Sequence, residues 1–231
     1  MYLYENVRER IGERLGQVPT VAPGPVKDFI CTNDDLRKLN RLLKRVPPFT
    51  KDILKQRVED KAREAVLWIK IAVQALSNAA RTQATNQYFK EAFGKNPDDS
   101  PSPIWLPSGK TWGEIVSKRL QRAGEILAGG NIEYRCGSPQ TCPSCKRSLR
   151  APYYGCARHG QYYMCLGLEF WKAWDSDHEA QTSTLIHEAL HIYFDIIEHG
   201  DRLNNANCYV RFVRRCNGVA ISTHLNYTCP P

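Results

Sequence analysis

Thr184-Leu185-Ile186-His187-Glu188-Ala189-Leu190-His191 is the stretch that decides how this sequence is read. Leu185, Ile186, Ala189, Leu190 and Ile192 surround its His-Glu-x-x-His core with apolar residues, a setting that predicts a buried helix. On a helix, positions i and i+4 share a face, so the His187 and His191 imidazoles can reach one Zn2+ at about 2.0–2.1 Å. Glu188 stands beside the first ligand, where it can take a proton from a water that zinc brings to a pKa of about 7. His and Glu side chains buried there without a metal would be costly. The segment therefore predicts a zinc-dependent hydrolase of peptide bonds, with His187 and His191 as ligands and Glu188 as catalytic base.

A catalytic zinc takes three protein ligands and keeps one position open. Downstream of His191 the sequence offers Asp195, His199 and Asp201. A straight helix carries Asp195 and His199 away from a metal held by His187 and His191. Gly200 is a natural helix terminator, and a chain reversal there returns Asp201 toward the metal. Geometry thus favours Asp201, then His199, then Asp195.

Outward from this helix, the pattern is α+β. An amphipathic stretch at residues 2–15 precedes a Pro/Gly loop, and Asn33 and Asp34 are able to cap a short helix over residues 36–46 that stops at Pro47-Pro48. Thr50 opens a long helical pattern through Leu54, Val58, Ala62, Ala65, Ile69, Ala72 and Leu76, running to about Phe89. Thr111 with Glu114 makes a capping box for another helix that ends at Gly129-Gly130. Short aromatic segments at residues 132–135, 152–155 and 161–166 then read as strands of a small sheet, followed by helical patterns over residues 179–198 and 204–214. The expected organisation is a mostly helical region over residues 1–127 and a catalytic domain over residues 128–231.

The 231 residues are 42% hydrophobic and 24% charged, which excludes wholesale disorder. No apolar run approaches the roughly 18 residues of a membrane span. The net charge is +8. The basic runs at residues 37–45, 146–150 and 211–215 carry no interleaved aromatic ladder or nucleic-acid reader motif, so they read as solvated faces and no nucleic-acid partner is expected. Eight of the nine cysteines follow residue 135. Cys142-Pro-Ser-Cys145 followed by Cys156-Ala-Arg-His159 has the spacing of a small structural zinc site, and the same cysteines also suit disulfides. Cys208 and Cys216, eight apart on a helical pattern, cannot bridge each other, which leaves Cys229 to pair with one of them.

Cys165, then Phe170-Trp171, then residues 182–191, then Asn205-Ala206-Asn207-Cys208-Tyr209 together resemble the deuterolysin and peptidyl-Lys metalloendopeptidase group, the aspzincins, over roughly residues 131–215. The resemblance implies a zincin-type α+β domain, a small sheet plus the His-Glu-x-x-His helix, with His187 and His191 on zinc and Glu188 as base. The family's third ligand is an Asp about ten residues beyond the second His, the place of Asp201. The flanking Gly-Thr and Tyr-Gly of that family segment are missing here, and Tyr209 is the substitute for the family's oxyanion-stabilising Tyr. Asn207 falls in the substrate-binding segment in place of an Asp. Val210 stands where lysine-specific members carry an acid, so lysine specificity is not carried over. The resemblance also implies disulfides rather than a second zinc, one of them ending at Cys165; Cys136 on the preceding strand is its expected partner, and Cys31 is the expected odd thiol.

Met1-Tyr-Leu-Tyr-Glu-Asn-Val-Arg contains no apolar core of a Sec signal peptide, whereas the resembled family works outside the cytoplasm. The expectation is a secreted or delivered bacterial effector or toxin acting in a target cell's periplasm. A protein substrate, an immunity protein and a secretion-system component are its partners. Two rivals are a zinc amidase that cuts peptidoglycan, suited to the +8 charge, and a non-enzymatic module whose zinc is structural.

Overall fold

The computed structural model describes residues 28–77, 79–101, 109–138, 140–145, 153–194, 201–220 and 229. The amphipathic stretch at residues 2–15 lies outside them, as do Asp195, His199 and Gly200. Within the described residues the protein is α+β, with seven helices and one small mixed sheet.

Side-chain caps set most helix starts. The Thr32 hydroxyl accepts from Asp35 N and the Asp35 carboxylate from Thr32 N, so α1 (Asn33–Leu43) begins on a capping box one residue before the residues expected to cap it. Asn40 then holds both main-chain groups of Phe49, at 3.0 and 2.7 Å, and fixes the turn into the next helix. Thr50 caps α2 (Lys51–Leu76) as the sequence indicates, but the helix stops at Leu76 instead of running to Phe89. Ser77 turns extended, and Thr82 caps a separate α3 (Gln83–Phe93), whose end falls on Gly94 at φ +69°. The Thr111–Glu114 capping box opens α4 (Trp112–Ala128) as read from the sequence.

The sheet has the order β1-β2-β4-β3: β1 (Asp28–Ile30), β2 (Glu133–Cys136), β3 (Gly155–Cys156) and β4 (Tyr163–Leu166). The β1–β2 and β2–β4 pairs are parallel, and β3 is antiparallel at the edge. Three helices follow: α5 (Leu168–Ser176), α6 (His178–Tyr193) and α7 (Ala206–Cys216), the last preceded by a 3-10 turn at Arg202–Asn204.

The cysteine pairing departs from expectation. Cys31 is not an odd thiol: it is bonded to Cys136, because β1 lies parallel beside β2 with Ile30 opposite Arg135, which sets the next residues side by side. Cys136 therefore does not pair with Cys165. In the β2–β4 register Cys136 faces Leu166 and Cys165 faces Arg135, and residues one step apart along a strand point to opposite faces. Cys165 bonds Cys142, and Cys145 bonds Cys156. These bonds consume the thiolates a second zinc would need, and His159 is left exposed. Cys229 bonds Cys208, and Cys216 is the free thiol among the described residues.

α2 is the spine of the core. Its buried Leu54, Val58, Ala65, Ile69 and Ala72 face α4, α6 and α7. One hydrophobic cluster runs from Phe29 and Leu54 through Leu190 to Phe212. Residues 127/128, the expected boundary, thus mark a change of sequence texture, and elements from both sides build the same core. Among the described residues no helix is long and apolar enough to cross a membrane.

Candidate metal centre

α6 starts at Asp177, whose carboxylate accepts from Ala180 N at 2.9 Å. Every residue from 180 to 190 is buried, since α2, α4, α5, α7 and β3 all pack on the helix. Its polar positions are tied to several elements at once. Arg57 of α2 donates to Gln181 Oε1 at 2.8 Å and Trp174 O at 3.1 Å and meets His178 Nδ1 at 2.5 Å, while Gln181 donates onward to Phe170 O at 2.8 Å. The Thr182 hydroxyl donates to Glu64, the partner of the buried Lys61. Arg214 of α7 donates to Ser183 Oγ at 2.9 Å. Burial and the neighbouring Arg57 cation hold the His178 imidazole below its usual pKa. These ties fix the rotation of α6 and hence the direction of its next turns.

Two turns on, His187 Nε2 and His191 Nε2 stand 3.0 Å apart, with ring centroids at 4.7 Å and planes 68° apart. His187 is 7% exposed and Glu188 5%, whereas His191 is half-buried, so the pair reaches the surface on its His191 side. Two nitrogens bound at 2.0–2.1 Å to one tetrahedral ion stand about 3.3 Å apart. The observed separation, which also suits an imidazole–imidazole hydrogen bond, is close to that, and imidazole nitrogens are a fitting donor type for zinc.

Glu188 lies against the edge strand. A Cβ on Gly155 of β3 would come within 2.8 Å of Glu188 Cγ and Oε1 and of Thr184 Cγ2. Only a glycine lets the strand approach the carboxylate this closely. Further on, Gly160 at φ +73° donates its N–H to Ile192 O at 2.9 Å, taking up one of the carbonyls left over at the end of α6. Residues 155–160 therefore follow α6 from Glu188 to Ile192. Gly155 and Gly160 were not singled out in the sequence, although a glycine inside an aromatic strand, Tyr153-Tyr154-Gly155, is the usual sign of a close backbone approach.

The remaining expected site residues fall elsewhere. α6 ends at Tyr193, not near Glu198, because Phe194 turns extended at ψ 142°. Asp201 is exposed and accepts from Leu203 N at 3.2 Å as the cap of the 3-10 turn. Among the described residues no group of three His, Cys, Asp or Glu side chains that could hold a metal ion is present, and two of the three candidate third ligands, Asp195 and His199, lie outside those residues. Tyr209 is fully buried. Its hydroxyl donates to Leu203 O at 2.9 Å and accepts from Arg119 Nη1 at 2.9 Å, and burial pushes its pKa up to about 12. With its proton committed to a backbone carbonyl and its ring packed on Phe93, Tyr209 is a core aromatic and not the expected oxyanion donor. Asn207 lies in the first turn of α7, where its N–H donates to Asn205 Oδ1 at 2.9 Å.

Compared with known protein families, curated proteins and solved structures, the chain matches none. What fold and site define is an α+β protein whose central helix pairs two imidazoles and sets a carboxylate against the edge strand of a small sheet.

Proposed function

We propose that this chain is a zinc-dependent endopeptidase. The observation that carries the reading is the convergence of His187 Nε2 and His191 Nε2 at 3.0 Å, one residue from a buried Glu188 that abuts the edge strand. His187 and His191 are the residues that would hold zinc, and the third ligand is sought among Asp195, His199 and Asp201. Bound there, zinc would supply Lewis-acid polarisation and a water acidic enough to react near neutral pH.

The chain's own residues do the rest. Glu188 accepts the proton of the attacking water and passes it to the leaving amine. Its burial keeps the carboxylate out of bulk solvent, and Gly155 limits its motion from one side. β3 pairs with β4 on one side only among the described residues, so an extended peptide can add to its other edge by main-chain hydrogen bonds. The Cys145–Cys156 and Cys142–Cys165 bonds brace this edge. Four disulfides fit an oxidising compartment, which supports action outside a reducing cytoplasm as a secreted or delivered effector.

Glu188→Gln is the test. The variant is expected to bind one zinc per chain, as the unaltered protein does, and to lose hydrolysis of unfolded casein by at least 100-fold. Retained hydrolysis would overturn the assignment. Cell-wall zymography alongside casein separates a peptidoglycan-cutting amidase, and zinc binding with no hydrolysis of either substrate by the unaltered protein would identify a structural module.

A further inference from the structure

The last turn of α6 carries His191 and ends two residues later at Tyr193, with Phe194 as its C-cap. A helix end is its least constrained part, because its final carbonyls lack partners within the helix. Two side chains of α4, Arg119 and Arg122, reach it. The Arg119 guanidinium lies 5.4 Å from the centre of the Phe194 ring. Its Nη1 donates to Leu203 O at 2.5 Å and to Tyr209 OH at 2.9 Å, with Asn204 Oδ1 at 3.4 Å. Tyr209 donates to the same Leu203 carbonyl at 2.9 Å, which closes a triangle of Arg119, Leu203 and Tyr209. Leu203 is 4% exposed and Tyr209 fully buried, so two corners of the triangle are fixed in the core.

We infer that Arg119 is a positioning residue of the metal centre. It fastens the end of the His191 helix to the 3-10 turn and α7, and so holds the His191 imidazole at its distance from His187. A planar guanidinium suits both tasks at once: its face packs on Phe194 while its edge donates to the carbonyl and the phenol. Arg122, one turn along α4, packs on Tyr193 at 4.6 Å but is exposed and ion-paired with Glu125, so it covers the helix end without linking it to α7. The inference rests on the zinc reading of the histidine pair.

The experiment measures Zn2+ affinity of the full chain by competition with a chromogenic chelator, at a temperature where circular dichroism shows every variant folded. Arg119→Ala is expected to bind Zn2+ at least about 10-fold more weakly than the unaltered protein, the scale of losing a group that orients a metal ligand. Arg122→Ala is expected to bind as the unaltered protein does. Casein hydrolysis by Arg119→Ala should recover when Zn2+ is raised above the weakened dissociation constant. Phe194→Leu removes the ring and keeps the hydrogen bonds; it is expected to weaken binding less, and it serves if Arg119→Ala does not fold. Unchanged Zn2+ affinity in the folded variants, with only a lowered melting temperature, would overturn the positioning role and leave the zinc reading intact. Failure of the unaltered protein to bind Zn2+ would overturn both.

Discussion

Gly155 meets Glu188 at the tightest backbone approach beside the proposed base. In Gly155→Ala the new methyl, 2.8 Å from Glu188 Cγ, Glu188 Oε1 and Thr184 Cγ2, must displace a carboxylate that is 5% exposed. The expected outcome is a loss of about 1–3 kcal/mol in urea unfolding, as for overpacked cores. A fall in kcat/KM for casein of tenfold or more should accompany it, with zinc content unchanged. Tyr209 predicts the opposite division of effects. Since its hydroxyl bonds Leu203 O and Arg119, Tyr209→Phe is expected to cost about 1 kcal/mol and to leave hydrolysis within a few-fold of the unaltered protein. Burial raises the Tyr209 pKa to about 12, from about 10 in an unfolded chain. The folded state thus holds this proton more tightly, and the stabilisation is complete below pH 10 and lost as the pH rises toward 12. The Cys216 thiol, also pushed up to about 12 by burial, titrates in an overlapping range. Stability is therefore compared between pH 9 and 12 in a Cys216→Ala background, where Tyr209→Phe should flatten the alkaline decline.

At the scale of elements, β1 depends most on a partner distant in sequence. Its three residues are joined to β2 by parallel pairing and by Cys31–Cys136, a bond spanning 105 residues. Closing a loop of about 100 residues is worth about 4–5 kcal/mol in the chain-entropy account. Cys31→Ser is expected to lower the guanidinium midpoint by a corresponding amount, whereas Cys216→Ala, which breaks no cross-link, should lower it far less. What could be read from the sequence divides along the same line. The starts of α2 and α4 were legible because Thr50 and the Thr111–Glu114 box act on residues three positions away. The His187–Glu188–His191 constellation was legible because four residues make one helical turn. β1 is too short to show alternation, and its existence depends on a register set 105 residues away. The cysteine pairs likewise follow from strand register, which spacing along the chain does not contain. The stop of α6 at Tyr193 was missed because no Gly or Pro marks it; the first such residue after His191 is Gly200.

For the whole molecule, the distribution of the core argues that the helices before residue 128 are part of the machine that holds the histidines. α6 has no exposed face between residues 180 and 190, and two of the helices covering it, α2 and α4, precede the sheet strands β2 to β4 and lie almost wholly within residues 1–127. Deleting them would expose Leu185, Ile186, Ala189 and Leu190, each worth roughly 1–3 kcal/mol of burial. It would also leave Gln181 and Thr182 without Arg57 and Glu64, and the last turn of α6 without Arg119. A domain of this size is stable by only about 5–15 kcal/mol, the same scale as these losses together. Residues 128–231 expressed alone, under oxidising conditions, are therefore expected to show no cooperative thermal transition by circular dichroism. Adding residues 1–127 as a separate chain is expected to restore the transition and one equivalent of bound zinc. A cooperative, zinc-binding 128–231 fragment would mean instead that the sheet, α5, α6 and α7 form a self-sufficient catalytic domain and that the first half is an accessory packed upon it.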